Sequence, residues 1–246
     1  MNLRHLLGLL LILLIPVSSW AFRLSPMIVN FSPSGSGSTQ TFLIENTGPE
    51  KIAVQIETFH RFADIDGKET RAATDEFSVY PQQMALQAGE KRNVRVTWTG
   101  NRQPDRELNY RLVVTELPVD LKKPKERESK PGANLTFLMQ YVASVYVTPA
   151  DATPKIVVDS LKVLPDGKAE IVLRNTGLAH RVLKGIRIFA KTSDQNRTEI
   201  KNEQMDEMQG ENILSMSSRK FKFALPAAMI KADKAQPGSV KAEIEF

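Results

Sequence analysis

Residues 135–147 alternate without a break. Leu135, Phe137, Met139, Tyr141, Ala143, Val145 and Val147 share one parity, and Thr136, Leu138, Gln140, Val142, Ser144 and Tyr146 take the other. A period of two marks an extended strand whose successive side chains point to opposite faces. At about 3.3 Å per residue this strand would run roughly 40 Å, well beyond the common strand length. Such a strand needs neighbours along its edges and an apolar layer under one face, so it commits the chain around it to sheet architecture.

The rest of the chain repeats the pattern on a shorter scale. Residues 24–31 read as a short extended opener, followed by the flexible turn Ser32-Pro33-Ser34-Gly35-Ser36-Gly37. Thr41-Phe42-Leu43-Ile44-Glu45 runs into the turn signal Asn46-Thr47-Gly48, and Ile52, Val54 and Ile56 alternate with Ala53, Gln55 and Glu57. Gln87-Ala88-Gly89-Glu90 reads as a turn, and Val94, Val96 and Trp98 alternate after it. In residues 108–117, Tyr110, Leu112 and Val114 form an apolar face and Arg111, Val113 and Thr115 a mixed one, which predicts a central strand.

Residues 119–134 crowd Lys122, Lys123, Lys125, Glu126, Arg127, Glu128 and Lys130 around prolines, the composition of a solvated hairpin tip. Interleaved acids argue against a nucleic-acid patch. Pro149 to Pro154 punctuates the chain and predicts a boundary between domains 22–149 and 150–246. Beyond it come strands at 155–163, 169–174 and 182–190, the turn Pro165-Asp166-Gly167, and a second Asn-Thr-Gly at Asn175-Thr176-Gly177. Residues 191–210 read as a loose polar connection, and strands at 220–226 and 240–246 close the chain. With no convincing amphipathic helix, the fold class is all-β, two β-sandwiches in series.

Met1 to Arg4 form a positive start, 6–17 an apolar run, and Ser18-Ser19-Trp20-Ala21 a small-residue cleavage signal. This predicts a secretory signal over 1–21, cut after Ala21. The alternative, an anchor in the membrane, needs roughly 20 apolar residues, which the run lacks. Cysteine is absent, which excludes thiolate metal centres and thiol catalysis and leaves an exported chain to be held by packing. A net charge of +5, spread along the chain, does not point to nucleic acid.

No catalytic constellation is present. After residue 21 the histidines are His60 and His180, far apart in sequence, and no phosphate-cradling loop or nucleophile motif occurs. Asp64-Ile65-Asp66-Gly67 resembles the opening of a calcium loop, but its later ligand is misplaced, and a hairpin turn fits better. Met205, Met208 and Met216 fit loop and strand filler better than a soft-metal site. No metal, no cofactor and no enzymatic activity are expected.

Several segments together resemble the periplasmic pilus chaperones of the PapD type. Tyr80-Pro81, then Leu86-Gln87-Ala88-Gly89-Glu90 and Val94-Arg95-Val96, resemble that family's proline, turn and strand, with Ala88 where the turn's proline would stand. Tyr110 to Pro118 resembles its aromatic strand ending in Glu-aliphatic-Pro, and Leu173-Arg174-Asn175-Thr176-Gly177 extends the likeness into the second half. The resemblance implies two immunoglobulin-like domains in a boomerang and a periplasmic chaperone for fimbrial subunits. Such a chaperone lends a strand to complete the subunit's fold and delivers it to an outer-membrane usher. It implies neither membrane insertion nor nucleic-acid binding.

On that reading Leu135, Phe137, Met139 and Tyr141 enter the client; otherwise the same face packs only in the chain's own core. The family's basic pair, which holds the client's C-terminal carboxylate, aligns with Ile28 and Ser144, neither of which can neutralise a charge. Arg111 is the candidate replacement and Arg23 a second one. The competing readings are an exported adhesive or structural sandwich that keeps its strands paired, and an exported hydrolase with no catalytic group to name.

Overall fold

The computed structural model describes residues 22–118, 138–193 and 195–246. Its first half holds β1 (Phe22–Ser25), β2 (Ile28–Phe31), β3 (Thr39–Asn46), β4 (Ile52–Ala63), β5 (Glu69–Ala73), β6 (Phe77–Tyr80), β7 (Gln83–Leu86), β8 (Lys91–Trp98), β9 (Leu108–Glu116) and β10 (Gln140–Val147). Its second half holds β11 (Ile156–Val163), β12 (Lys168–Asn175), β13 (Arg181–Val182), β14 (Arg187–Lys191), β15 (Arg197–Glu199), β16 (Asn212–Ile213), β17 (Ser218–Ala224), α1 (Ala227–Ala235) and β18 (Lys241–Glu245). The chain is all-β, with two immunoglobulin-like sandwiches in series.

The first sandwich packs the sheet β1-β3-β8-β6 against the sheet β2-β10-β9-β4-β5, with β7 also on β4. The alternation explains the layers. Phe42 and Ile44 on β3, Val94, Val96 and Trp98 on β8, and Tyr110, Leu112 and Val114 on β9 all turn into one core. Phe77 meets Trp98 and Tyr110 with ring centroids 5.0 Å apart, edge-on in both cases. Such pairs add about 0.5–1.5 kcal/mol beyond area burial. As expected, β9 is central, between β10 and β4. The opener at 24–31 divides, because the chain crosses sheets at Pro26: β1 pairs with β3 and β2 runs parallel to β10.

The second sandwich is assembled from β11-β12-β17, β15-β14-β18 and the short pair β13-β16, around a separate core. Both halves use the same device after one of their core strands. Asn46 ends β3 and Asn175 ends β12, each followed by Thr-Gly and each buried. Asn46 Nδ2 donates to Glu50 O at 2.7 Å and Gln87 O at 2.9 Å, while its Oδ1 accepts from Gly48 N at 3.0 Å. Asn175 repeats this with Ala179 O at 2.8 Å and Gly177 N at 3.0 Å. The two turn signals are thus internal pins, each tying a tight turn to a distant loop.

Two expectations for the second half fail. Residues 191–210 are not a loose connection: they carry β15 and a short 3-10 turn, and Ile200, Met205 and Met208 are buried in the core. Methionine fills an irregular gap there, which the polar composition around it hides. The helix α1 was also unexpected. Pro226 at its N-cap and the alanines at 227, 228, 232 and 235 favour helix intrinsically. Met229 is its one fully buried side chain, so there is little apolar periodicity to read.

Candidate functional site

Of the strand expected at 135–147, the structure describes the part from Leu138 onward, and the ladder begins at Gln140. Leu135 and Phe137 lie outside the described residues. Met139 and Tyr141 are half-buried and pack against the first core, and Tyr141 meets the Phe22 ring edge-on at 4.9 Å. Further along, Ala143, Val145 and Val147 are fully buried. The odd-numbered face therefore grades from half-covered at Met139 to core at Val147.

One edge of β10 is paired along its whole length, from Gln140 opposite Thr115 to Val147 opposite Leu108. The other edge meets β2 only from Ser144 to Val147. Along 140–143 no strand among the described residues takes that side. An unpaired edge presents backbone donors and acceptors that a further strand can take up.

The register places the expected anchor positions side by side. Ser144 pairs with Ile28 on one side and Arg111 on the other, and Arg111 pairs with Phe59. Ile28, Ser144 and Arg111 thus share one row across the outer face of the sheet. Ile28 is 66% exposed. Arg111 Nη1 donates to Ser144 Oγ. The row that lacks the family's basic pair therefore does contain a cation. Arg23 does not join it: it is on β1 in the other sheet, opposite Glu45.

Arg111 is held by Glu69, with Nη2 2.5 Å from Oε2 and Nε 3.0 Å from Oε1. Arg61 Nε reaches the same carboxylate at 2.9 Å, and Arg71 Nε at 3.4 Å. Burial alone would raise the Glu69 carboxyl, but Arg111, Arg61 and Arg71 outweigh it and hold the group below its ordinary value of 4.5. A depressed carboxyl stabilises the fold above its unfolded value, and that stability is lost as pH falls through the folded one. Glu69→Gln is therefore expected to flatten the loss of unfolding free energy as pH falls below the ordinary carboxyl value in urea titrations. An unchanged acid limb would show that the cluster contributes nothing.

Arg61 also extends toward the second sandwich. Its Nη1 donates to Tyr146 Oη at 3.2 Å, and Asn212 Nδ2 donates to the same oxygen at 2.7 Å. The Tyr146 ring stacks on His180 with centroids 3.8 Å apart. Behind it the buried Glu107 accepts from Thr148 Oγ1 at 2.9 Å and from His180 N at 3.0 Å, with His180 Nδ1 2.8 Å from Oε1. The β4–β5 hairpin forms a further bridge: Ile65 O accepts from Lys220 N at 2.7 Å, and Asp66 pairs with Lys220 Nζ at 2.8 Å. Gly67 takes φ 85° there, and a Cβ on it would meet Arg219 Cζ at 2.2 Å. The Asp-Ile-Asp-Gly segment is thus a hairpin turn, as expected, and it docks on β17.

Sequence reasoning missed Glu69, Arg61, Glu107 and Tyr146. The hairpin at Asp64–Gly67, once read, sets Glu69 opposite Ala63 and so close to Arg61, a signal that was available. Glu107 and Tyr146 depend on how the two sandwiches meet, and no local pattern carries that.

A chain of two sandwiches in series, with a half-open edge on β10 and an arginine cluster beside it, has the immunoglobulin-like two-domain fold. A family model described as pili and flagellar-assembly chaperone, PapD N-terminal domain, matches residues 24–152, more than half of the chain. The chain belongs to this family of pilus-assembly chaperones, which is non-enzymatic. Among solved structures it resembles a chain of the CsuC–CsuE chaperone–tip adhesion subunit pre-assembly complex from archaic chaperone-usher Csu pili of Acinetobacter baumannii. That match has TM-score 0.58 and 21% identity, covering 85% of this chain and 89% of that one. The class 5 fimbriae chaperone CfaA matches with TM-score 0.56 and 17% identity over 80% and 84% of the two chains. The CupB2 chaperone of Pseudomonas aeruginosa matches with TM-score 0.50 and 13% identity over 91% and 98%. No curated protein sequence matches significantly.

Proposed function

We propose that this chain is a periplasmic chaperone that binds pilus subunits by lending them the strand around β10 and passes them to an outer-membrane usher. The observation that carries this reading is the half-paired edge of β10 along 140–143, beside the half-covered side chains of Met139 and Tyr141. A subunit lacking a strand has an apolar groove and unpaired backbone. The free edge satisfies the backbone, and alternate side chains fill the groove. Leu135, Phe137 and Met139 are the intended groove fillers, with Tyr141 the fourth. The neighbour in the Csu complex, a chaperone caught with a tip subunit, supports a pilus subunit as the partner. Cleavage after Ala21 would release the chain to the periplasm as domains 22–149 and 150–246.

Arg111 is the proposed anchor for the client's C-terminal carboxylate, since it stands in the row of Ile28 and Ser144. The test is co-expression with the pilin-like subunit encoded nearest this chain. Wild type should copurify with it one to one. Phe137→Glu with Met139→Glu should reduce the complex more than tenfold, because each buried apolar side chain is worth about 1.5–3 kcal/mol. Undiminished copurification by the double variant would sink strand donation. It would favour an exported structural sandwich that uses this face only in its own core.

A further inference from the structure

Arg61, Arg111 and Glu69 form an unbalanced charge cluster. The side chains are 12%, 15% and 22% exposed respectively, so water screens them poorly. Buried charges are ordinarily paired one to one. Here two guanidiniums share one carboxylate, and Arg71 adds a third at 3.4 Å. Glu69 uses one side of the Arg111 fork, Nε and Nη2, while Nη1 turns to Ser144. A guanidinium has five N–H donors, so Arg111 retains capacity at its outer end. Arg61 commits Nε to Glu69 and Nη1 to Tyr146 Oη, and it too keeps donors.

We infer that Arg61 is the second cation of the client anchor, and that Glu69 is a positioning residue that holds Arg61 and Arg111 together as one clamp for a terminal carboxylate. The inference rests on the carboxylate-anchor reading above and adds to it the residues that complete the site. An incoming carboxylate restores two anions to the two most buried cations. The anchor is again a basic pair, but it comes from β4 and β9 rather than from β2 and β10. Ser144 contributes a hydroxyl that accepts from Arg111, and Tyr146 one that accepts from Arg61. The ligand class is a peptide with a free C-terminal carboxylate, in preference to an amidated or internal chain.

The test uses the chain from Phe22 onward and two probes: an acetylated peptide of alternating valine and threonine ending in a free carboxylate, and the same peptide amidated. Calorimetry gives the ratio of their dissociation constants. Wild type should favour the acid about tenfold or more, as charge-assisted hydrogen bonds to a carboxylate imply. Arg61→Gln should cut that ratio several-fold without changing the amide's affinity, and Arg61→Gln with Arg111→Gln should abolish it. An Arg61→Gln ratio equal to wild type, with Arg111→Gln losing the preference, overturns the clamp and leaves the Arg111 anchor standing. No acid preference in wild type, or none lost in Arg111→Gln, overturns the anchor itself. Should Arg61→Gln fail to fold, ¹⁵N spectra of wild type decide: the Nε–H signals of both arginines should move with the acid peptide and stay with the amide. Movement of Arg111 alone rejects the clamp.

Discussion

Glu107→Ala is expected to uncouple the two sandwiches. Its carboxylate is 1% exposed and receives Thr148 Oγ1, His180 N and His180 Nδ1. Its backbone works across the same junction, donating to Leu178 O at 2.8 Å and accepting from Ser215 Oγ at 3.0 Å. The Glu107 backbone bonds survive the substitution, but the three donors to its carboxylate lose their shared acceptor. Each unsatisfied buried donor costs about 1–3 kcal/mol, so roughly 2–5 kcal/mol of coupling is at stake, the hydroxyl being free to turn elsewhere. For a chain of this size that corresponds to a shift of about 5–15 °C in whichever sandwich depends on the other.

The chain itself supplies a reporter for this. Apart from Trp20 near the N-terminus, Trp98 is the only tryptophan, and it sits in the first core. In wild type, Trp98 fluorescence and far-ultraviolet circular dichroism should melt together. In Glu107→Ala the fluorescence transition should separate from the dichroism transition, because coincidence of probes is the mark of a single cooperative unit. Coincident curves with a melting point within a degree of wild type would mean that the carboxylate is dispensable and that the Glu107 backbone bonds, the Tyr146 contacts and the hairpin bridge carry the coupling. The consequence reaches the site. Tyr146 is stacked on His180 and accepts from Arg61, so loosening Glu107 also loosens the arginine cluster.

What was legible in the sequence follows the range of the interactions. Alternation is a local property, so Val94, Val96, Trp98, Tyr110, Leu112 and Val114 are assignable to a core from the order of residues alone. Turn chemistry is local as well, and it locates the hairpin at Asp64–Gly67 and both Asn-Thr-Gly turns. The candidate Arg111 rests on a resemblance and an inferred strand order, and the register sets it in the row of Ile28 and Ser144. Arg61 and Glu69 were not legible as a pair with Arg111, because their meeting depends on β4 lying between β9 and β5. The buried Met205 and Met208 were missed for the opposite reason, since their neighbours in sequence are polar and only the tertiary fold covers them.

Asn175→Ala is expected to be the most damaging single substitution in the second sandwich. The side chain is 0% exposed, and its amide is fully used. Nδ2 lies 2.8 Å from Ala179 O, 3.1 Å from Leu214 O and 3.2 Å from Ile213 O, so two hydrogens are shared among three carbonyls. Oδ1 accepts from Gly177 N at 3.0 Å and Lys155 N at 3.1 Å. Alanine leaves two buried or half-buried N–H groups and at least two carbonyls without a partner. It also opens space where Gly177 packs against 153–155, so closely that a Cβ there would meet Lys155 N at 2.3 Å. At about 1–3 kcal/mol for each orphaned group, partly relieved by entering water, a loss of roughly 3–5 kcal/mol is expected. Asn175→Asp should not rescue it, since the carboxylate keeps the acceptor, loses the donors and adds a buried charge. Urea unfolding followed by circular dichroism measures the loss, and Trp98 fluorescence shows whether the first sandwich is spared. Asn46→Ala should give the mirror result, with Trp98 responding first. If Asn175→Ala costs less than about 1 kcal/mol, the pin is not what holds this turn, and the repeated Asn-Thr-Gly is local turn chemistry and nothing more.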